Sequence, residues 1–313
     1  MKKEKLETKV LEFIKTYKIF KKYDKILMAV SGGKDSMVML NVIANLSEKY
    51  GYSLMVGHFN HGIRKESDYE EEFVHKECEK LNIKCVSEKI NALDYSQKEN
   101  ISLEESARKL RYNFLFGLLK EYDFNIISTA HHAGDLAETI FFRLARGTGI
   151  YGISGLLPKN EFLARPLLGI NMNEISEYLT NNNIKFVQDQ SNFSLDYSRN
   201  KIRHKILPVM NEINSGYQEN MVKFSGIVWK YREYTEEQFE KRIEKTDSGF
   251  VQYLKKDIFD AEVLRILFLK NKMYPPNLEE TEKIINMKSS GKRHIEKFEI
   301  IKKKNTLIIK FSS

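Results

Sequence analysis

The stretch Lys25-Ile26-Leu27-Met28-Ala29-Val30, running into Ser31-Gly32-Gly33-Lys34-Asp35-Ser36, restricts this chain more than any other. A strand-length apolar run meets a tight Ser/Gly turn, and the apolar segment from Met37 to Ile43 is too long for a strand. The order is therefore strand, loop, helix. Adjacent glycines let the backbone take φ > 0 and approach an anion closely, while a helix opening near Asp35 or Ser36 points unpaired N–H groups at the same place. Ser31, Lys34 and Ser36 add side-chain donors, so the loop reads as a phosphate cradle, the alternative for a glycine pair between strand and helix being a plain turn. The Walker pattern Gly-x-x-x-x-Gly-Lys-Ser/Thr occurs nowhere in the chain.

A chain of 313 residues has room for about two domains and a sizeable core, and 12% aromatic with 30% charged residues fits a folded protein. The net charge of +8 suits a polyanionic partner, although a lysine excess also serves solubility. The N-terminus has an amphipathic pattern (Leu6, Val10, Ile14, Tyr17) without a signal-peptide core, and no run reaches membrane-spanning length, so a cytoplasmic protein with no membrane association is expected. Cys78 and Cys85, the only cysteines, form neither a disulfide framework nor a Cys-x-x-Cys metal site and read as packing residues.

Downstream of the loop, strands and helices alternate. Strands are expected over 53–61, 83–90 and 124–130, and helices over 37–50, 67–82 and 103–122. Ser102 and Glu105 form a capping box for the 103–122 helix, and the acidic start of the 67–82 helix reads as a solvated first turn. This alternation argues an α/β fold with a doubly wound, mostly parallel sheet, where ligands sit beyond the carboxyl ends of strands. The strand at 124–130 ends in His131-His132-Ala133-Gly134-Asp135, and the next helix carries Asp135 and Glu138 on one face. Gly147-Thr148-Gly149-Ile150-Tyr151-Gly152 matches a dinucleotide fingerprint in letters but follows a helix and leads to none, so it is rejected. An extra strand is expected at Ile184 to Val187 and a loop at Asp189 to Asn192, followed by the basic run from Arg199 to Lys205. The boundary is placed at Asn214-Ser215-Gly216, dividing a catalytic domain (1–215) from a linking helix and small α/β appendage (216–313) with helices near 260–272 and 278–288. Its two closing strand runs, 294–301 and 306–311, lie in a lysine-rich tail: Lys288, Lys292, Arg293, Lys297, Lys302, Lys303, Lys304.

The hexapeptide Ser31 to Ser36 resembles the pyrophosphate-binding loop of the N-type ATP pyrophosphatases (PP-loop superfamily). Further segments narrow the resemblance to the tRNA(Ile)-lysidine synthases: His58-Phe59-Asn60-His61-Gly62-Ile63-Arg64, Ser102-Leu103-Glu104-Glu105 with Ala107-Arg108 and Arg111-Tyr112, Thr129 to Thr139, Arg146 to Gly149, and Arg199 to His204. Together they cover residues 25 to 210. The resemblance implies attack at the α-phosphate of ATP and ligation of free L-lysine to C2 of the wobble cytidine, position 34, in tRNA(Ile) with a CAU anticodon, giving lysidine, AMP and pyrophosphate. It implies ATP contacts at Ser31, Gly32, Gly33, Lys34, Asp35, Ser36, His58, Asn60, His61 and His131. Catalytic roles fall on Asp35, Arg111, Asp135 and Glu138, the last three binding lysine, and tRNA contacts on Arg199, Asn200, Arg203 and His204. Asp35 beside phosphates calls for Mg2+, and one of the paired histidines is expected to pack in the fold. A homodimer is compatible with all of this. The competing readings are a tRNA thiolase of the same superfamily, which would need reactive or cluster-binding cysteines, and a non-catalytic ATP- or RNA-binding module.

Overall fold

A computed structural model describes residues 3–62, 66–187 and 198–312. The chain forms two compact units, residues 1–142 with 155–223, and residues 143–154 with 224–313. The division thus falls at Lys223 and Phe224, not at 215–216, and it assigns 143–154 to the second unit. Hydrogen bonds explain that assignment. Trp229 Nε1 donates to the Ser154 carbonyl at 2.9 Å, Arg232 to Ser154 Oγ at 3.0 Å, and the Tyr151 hydroxyl to Glu236 at 2.7 Å.

In chain order the elements are α1 (Lys3–Thr16), β1 (Lys25–Ala29), α2 (Lys34–Tyr50), β2 (Ser53–Asn60), α3 (Glu66–Lys80), β3 (Lys84–Lys89), α4 (Ala92–Glu99), α5 (Leu103–Glu121), β4 (Ile126–Ser128), α6 (Ala133–Ala145) and α7 (Ile150–Ile153). There follow β5 (Lys159–Asn160), β6 (Leu163–Ala164), α8 (Met172–Asn181), α9 (Ser198–Lys201), a π-helical turn Ile202–Ile206 and α10 (Leu207–Ile213). The first unit's sheet has the order β3-β2-β1-β4-β6-β5, parallel throughout except for β5 against β6. This is the doubly wound, mostly parallel α/β sheet read from the alternation of elements. Its centre is β1, where Ile26, Leu27 and Met28 are fully buried. Gly57 on β2 lets α5 lie close, since a Cβ there would sit 2.8 Å from Leu115 Cδ2. From β1 the chain goes to β2 on one side, and β4 pairs on the other, so the topological switch point lies between the carboxyl ends of β1 and β4.

Several local expectations are corrected. Helix α4 was not foreseen; Asn91 caps it, accepting from Leu93 N and Asp94 N. Residues 184–187 form no strand, although Val187 N donates to the Gly32 carbonyl at 2.9 Å. Ser102 Oγ accepts from Glu105 N at 3.2 Å, and a complete reciprocal box instead starts α8, between Asn171 and Glu174. The acidic start of α3 is not simply solvated, because Asp68 and Glu71 accept from the buried Asn60 side chain at 3.1 and 3.0 Å. The expected loop at Asp189 to Asn192 and the motif residues Ile63 and Arg64 lie outside the described residues.

The second unit follows α11 (Tyr217–Arg242) with β7 (Ile243–Thr246), β8 (Gly249–Tyr253), α12 (Phe259–Lys270), α13 (Leu278–Ile285), β9 (Lys292–Ile295), β10 (Phe298–Lys303) and β11 (Thr306–Phe311). Its antiparallel sheet has the order β7-β8-β11-β10-β9. The run expected as one strand over 294–301 is broken by a turn with Glu296 at φ 53°. Phe298, Ile300, Leu307 and Ile309 alternate inward against Val263, Leu264, Leu267 and Phe268 of α12. Lys302 is also turned inward, and its ammonium donates to the Ile285 carbonyl at 2.7 Å. Among the described residues no helix is long and apolar enough to cross a membrane.

Candidate active site

The loop after β1 is shaped by one glycine more than by two. Gly32 has φ +88°, a region in which other residues are strained, and a Cβ there would also press on Val74 Cγ2 at 3.3 Å. Gly33 is in ordinary extended conformation at φ −71° and serves as the N-cap of α2, with no side chain capping the helix. The helix therefore opens at Lys34 with its first N–H groups directed at whatever occupies the loop. Ser36 is buried. Its hydroxyl donates to the Gly33 carbonyl at 2.8 Å and accepts from Ser31 N at 3.2 Å, so it braces the loop rather than presenting a free donor.

Across the switch point, the segment after β4 brings two histidines and two carboxylates. His131 Nδ1 and Thr129 Oγ1 are 2.9 Å apart, and burial, helped by the Arg165 and Arg111 charges and opposed by Asp135, lowers the imidazole pKa to about 4. His131 is thus neutral at physiological pH. His132 is the less exposed of the pair. Its Nδ1 accepts from Gly134 N at 3.0 Å, which leaves the proton on Nε2, 3.6 Å from Asp135 Oδ2 and 3.8 Å from Asp35 Oδ2. Gly134 makes this possible, since a Cβ at that position would stand 2.7 Å from the His132 ring. His132 therefore joins the phosphate loop to the start of α6.

Asp35 fits a cation. Its Oδ1 is buried without a partner, and burial raises its pKa against the pull of His132 and Lys34. No group of three or more His, Cys, Asp or Glu side chains arranged to hold a metal occurs among the described residues. Mg2+ is commonly held by one or two carboxylates and substrate phosphates, so Asp35 with a bound polyphosphate suits that ion.

Asp135 and Glu138 do share a face, as their spacing predicts, and a third residue joins them. Arg203 donates from Nε to Glu138 Oε2 at 2.9 Å and from its terminal nitrogen to Asp135 Oδ1 at 3.2 Å. Ile202 and Leu207 pack against Ala137 and so seat the π-helical turn on α6. Arg203, expected to face tRNA, is instead in an ion pair with the carboxylates expected to face lysine. Burial raises the Glu138 pKa, with Arg203 opposing. For Asp135 the same burial is outweighed by His132, His131, the His132 N–H at 2.9 Å and Arg203, so it is held low. Arg199 lies 5.4 Å from the Phe142 ring and 4.0 Å from Glu104, and His204 is exposed on the same segment as Asn200.

The strand end at 58–61 supports the loop. His58 is 2% exposed and its Nδ1 donates to the Val30 carbonyl at 2.9 Å; burial lowers its pKa. Asn60, equally buried, donates to Asp68 and Glu71 and accepts from Gly62 N, so both side chains hold backbone in place instead of facing a ligand. The His61 ring packs edge-on to Phe59 with centroids 5.0 Å apart. Arg111 stands over Tyr112 and acts on His131. A buried residue not foreseen is Arg165, after β6. It donates to the Leu157 carbonyl at 2.7 Å, but its Nε has no partner. Only the pairing of β6 with β4 brings Arg165 beside His131.

Residues 2–210 match the PP-loop domain family. A tRNA(Ile)-lysidine synthase of Petrotoga mobilis is 47% identical over 97% of this chain and 98% of that protein. The tRNA(Ile)-lysidine synthase of Thermosipho africanus is 43% identical over 71% of this chain, which spans about half of that longer relative, 52%. Among solved structures, a U34-tRNA thiolase of Methanococcus maripaludis with its [4Fe-4S] cluster aligns with TM-score 0.59 at 18% identity, covering 71% of this chain and 78% of that one, a likeness of fold.

Proposed function

The chain belongs to the tRNA(Ile)-lysidine synthases of the PP-loop family, ATP-dependent carbon–nitrogen ligases, and from that premise we propose how its residues carry the reaction and on which substrates. The substrates are ATP, free L-lysine and tRNA(Ile) with a CAU anticodon. The C2 oxygen of the wobble cytidine attacks the α-phosphate of ATP and expels pyrophosphate. The lysine ε-amine, having lost a proton, then attacks C2 and AMP leaves with the oxygen. Adenylation matters because the oxygen of an amide-like ring is otherwise a poor leaving group.

The open N–H groups of α2, the Gly32 turn, Ser31 and Lys34 bind the phosphates, and His61, at the end of the strand that His58 and Asn60 brace, borders the adenosine. Asp35 would hold Mg2+, which supplies positive charge to the departing pyrophosphate. Asp135 and Glu138 receive lysine ammonium groups. Glu138, with its raised pKa, is the better proton acceptor of the two. Arg111, with Arg165 near the neutral His131, suits the lysine carboxylate or the charge developing on phosphate. Arg199, Asn200 and His204 contact tRNA phosphates, as does the lysine-rich second unit, and holding all substrates in one crevice supplies orientation. We place the enzyme in the cytoplasm, where these substrates meet, and a homodimer is testable by sedimentation.

The observation that carries this reading is the meeting of the phosphate loop, through Asp35, with Asp135 at His132, on the switch point of the sheet. The thiolase alternative is weaker here. Cys85 lies in hydrogen-bonding contact with Cys78, and that contact together with burial pushes its thiol pKa up, away from a reactive thiolate. The test is incorporation of labelled lysine into a tRNA(Ile) transcript bearing CAU. Asp135→Asn and Glu138→Gln each remove a charge-assisted contact of roughly 1.5–3 kcal/mol, so the lysine requirement rises about ten- to a hundredfold. Adenylated tRNA then accumulates at limiting lysine while ATP dependence changes little. Lysine dependence untouched in both variants would refute the assignment.

A further inference from the structure

Arg203 stands where a substrate cation would have to stand. Its guanidinium makes two contacts with Glu138 Oε2, at 2.9 and 2.8 Å, and one with Asp135 Oδ1 at 3.2 Å. The other Asp135 oxygen already accepts from His132 N at 2.9 Å. Of the four carboxylate oxygens, three are thus engaged within the protein. An ammonium bridging Asp135 and Glu138 must take over contacts that Arg203 now makes.

A carboxylate as enclosed as Glu138, 8% exposed, cannot stay ionised without a cation beside it. Arg203 supplies that charge from the protein itself. Its side chain remains 38% exposed and projects from a π-helical turn, so the long side chain can leave by rotation while Ile202 and Leu207 keep the backbone on α6. Arg203 also acts through space on Asp35, so three carboxylates share this one guanidinium.

We propose that Arg203 is a built-in stand-in for the substrate ammonium, holding Asp135 and Glu138 ionised and in place until lysine displaces it. This rests on the assignment of those carboxylates to lysine. The stand-in makes lysine binding a competition, in which apparent affinity is lowered by the fraction of molecules whose site Arg203 fills. Co-residence of Arg203 and lysine would have the opposite signature, since removing a supporting cation would weaken the site.

The experiment is calorimetric titration of L-lysine into the full-length protein without tRNA, comparing wild type with Arg203→Gln, Arg203→Lys and Asp135→Asn, and with thermal unfolding of each as the folding control. If Arg203 fills the site in nine molecules of ten, Arg203→Gln binds lysine about tenfold more tightly. Arg203→Lys, retaining charge but not the planar fork, falls between them and serves in its place if Arg203→Gln is unfolded. Millimolar guanidinium ion should compete with lysine in Arg203→Gln and have no effect on lysine binding to wild type. If wild type binds lysine, Asp135→Asn weakens it, and the Arg203 variants bind no more tightly than wild type, the stand-in is refuted while the lysine site survives. If wild type binds no lysine, or Asp135→Asn binds it unchanged, the lysine site itself falls and the stand-in with it.

Discussion

Asp35 and Glu138 are both carboxylates whose burial raises their pKa, and the consequences differ because only Asp35 has a buried oxygen without a partner. Burial disfavours ionised Asp35 in the folded state, so deleting it should not destabilise the fold. Asp35→Ala is expected to lower tRNA- and ATP-dependent pyrophosphate release on the order of a hundredfold with an unchanged thermal midpoint. Release at the wild-type rate would take the loop carboxylate out of the mechanism. For Glu138 the sign follows from linkage. A raised folded pKa means that the folded protein keeps this proton to higher pH than the unfolded chain, and any stability due to it is lost as pH rises through the folded value. An ammonium binds the ionised form. Lysine affinity should therefore fall as pH drops through that raised value, and around and below it a proton is released on binding, while Asp135, held low, stays charged. Titrations in buffers of different ionisation enthalpy measure the release, and it should vanish in Glu138→Gln.

The element that gathers these residues is the strand–loop–helix unit of β1 and α2, and its weakest tolerance is at Gly32. Alanine there must adopt φ near +88° and crowd Val74, so Gly32→Ala should cost about 1–2 kcal/mol in urea unfolding and weaken ATP binding more than Gly33→Ala does. Equal effects of the two substitutions would mean that conformation is not what the loop needs glycine for. This unit was legible because its signals are local: an apolar run, a glycine turn, a buried helix. Asp135 and Glu138 were legible for the same reason, being one helical turn apart. Arg203 was legible only as a basic residue, because its partner Glu138 lies 65 positions away and helix packing alone brings them together. Strands β5 and β6, each of two residues, are too short to show alternation, yet β6 is what carries Arg165 to the site. The family resemblance alone sets Asn60 among the ATP contacts; here α3 covers its side chain and takes its hydrogen bonds.

At the scale of the whole molecule, the charge of +8 becomes a statement about tRNA only where lysines are exposed. In the second unit Lys292, Arg293, Lys297 and Lys303 are exposed, whereas Lys302 is buried and spends its ammonium on the Ile285 carbonyl. Removing the second unit wholesale would not test their role. A chain cut after 223 would strip Tyr151 and Ser154 of Glu236, Arg232 and Trp229, so weaker binding could simply reflect a disrupted fold. Neutralising the exposed cations to Gln in the full chain avoids this. Every cation that pairs with a tRNA phosphate should, once neutralised, flatten the dependence of log affinity on log salt by about 0.7–0.9, and tRNA affinity at low salt should fall while ATP and lysine binding hold. Lys302→Gln is the contrasting control, expected to lower stability and leave the salt slope alone. A quadruple variant with the wild-type slope would mean that tRNA lies elsewhere, and neutralising Arg199 would then be the next measurement.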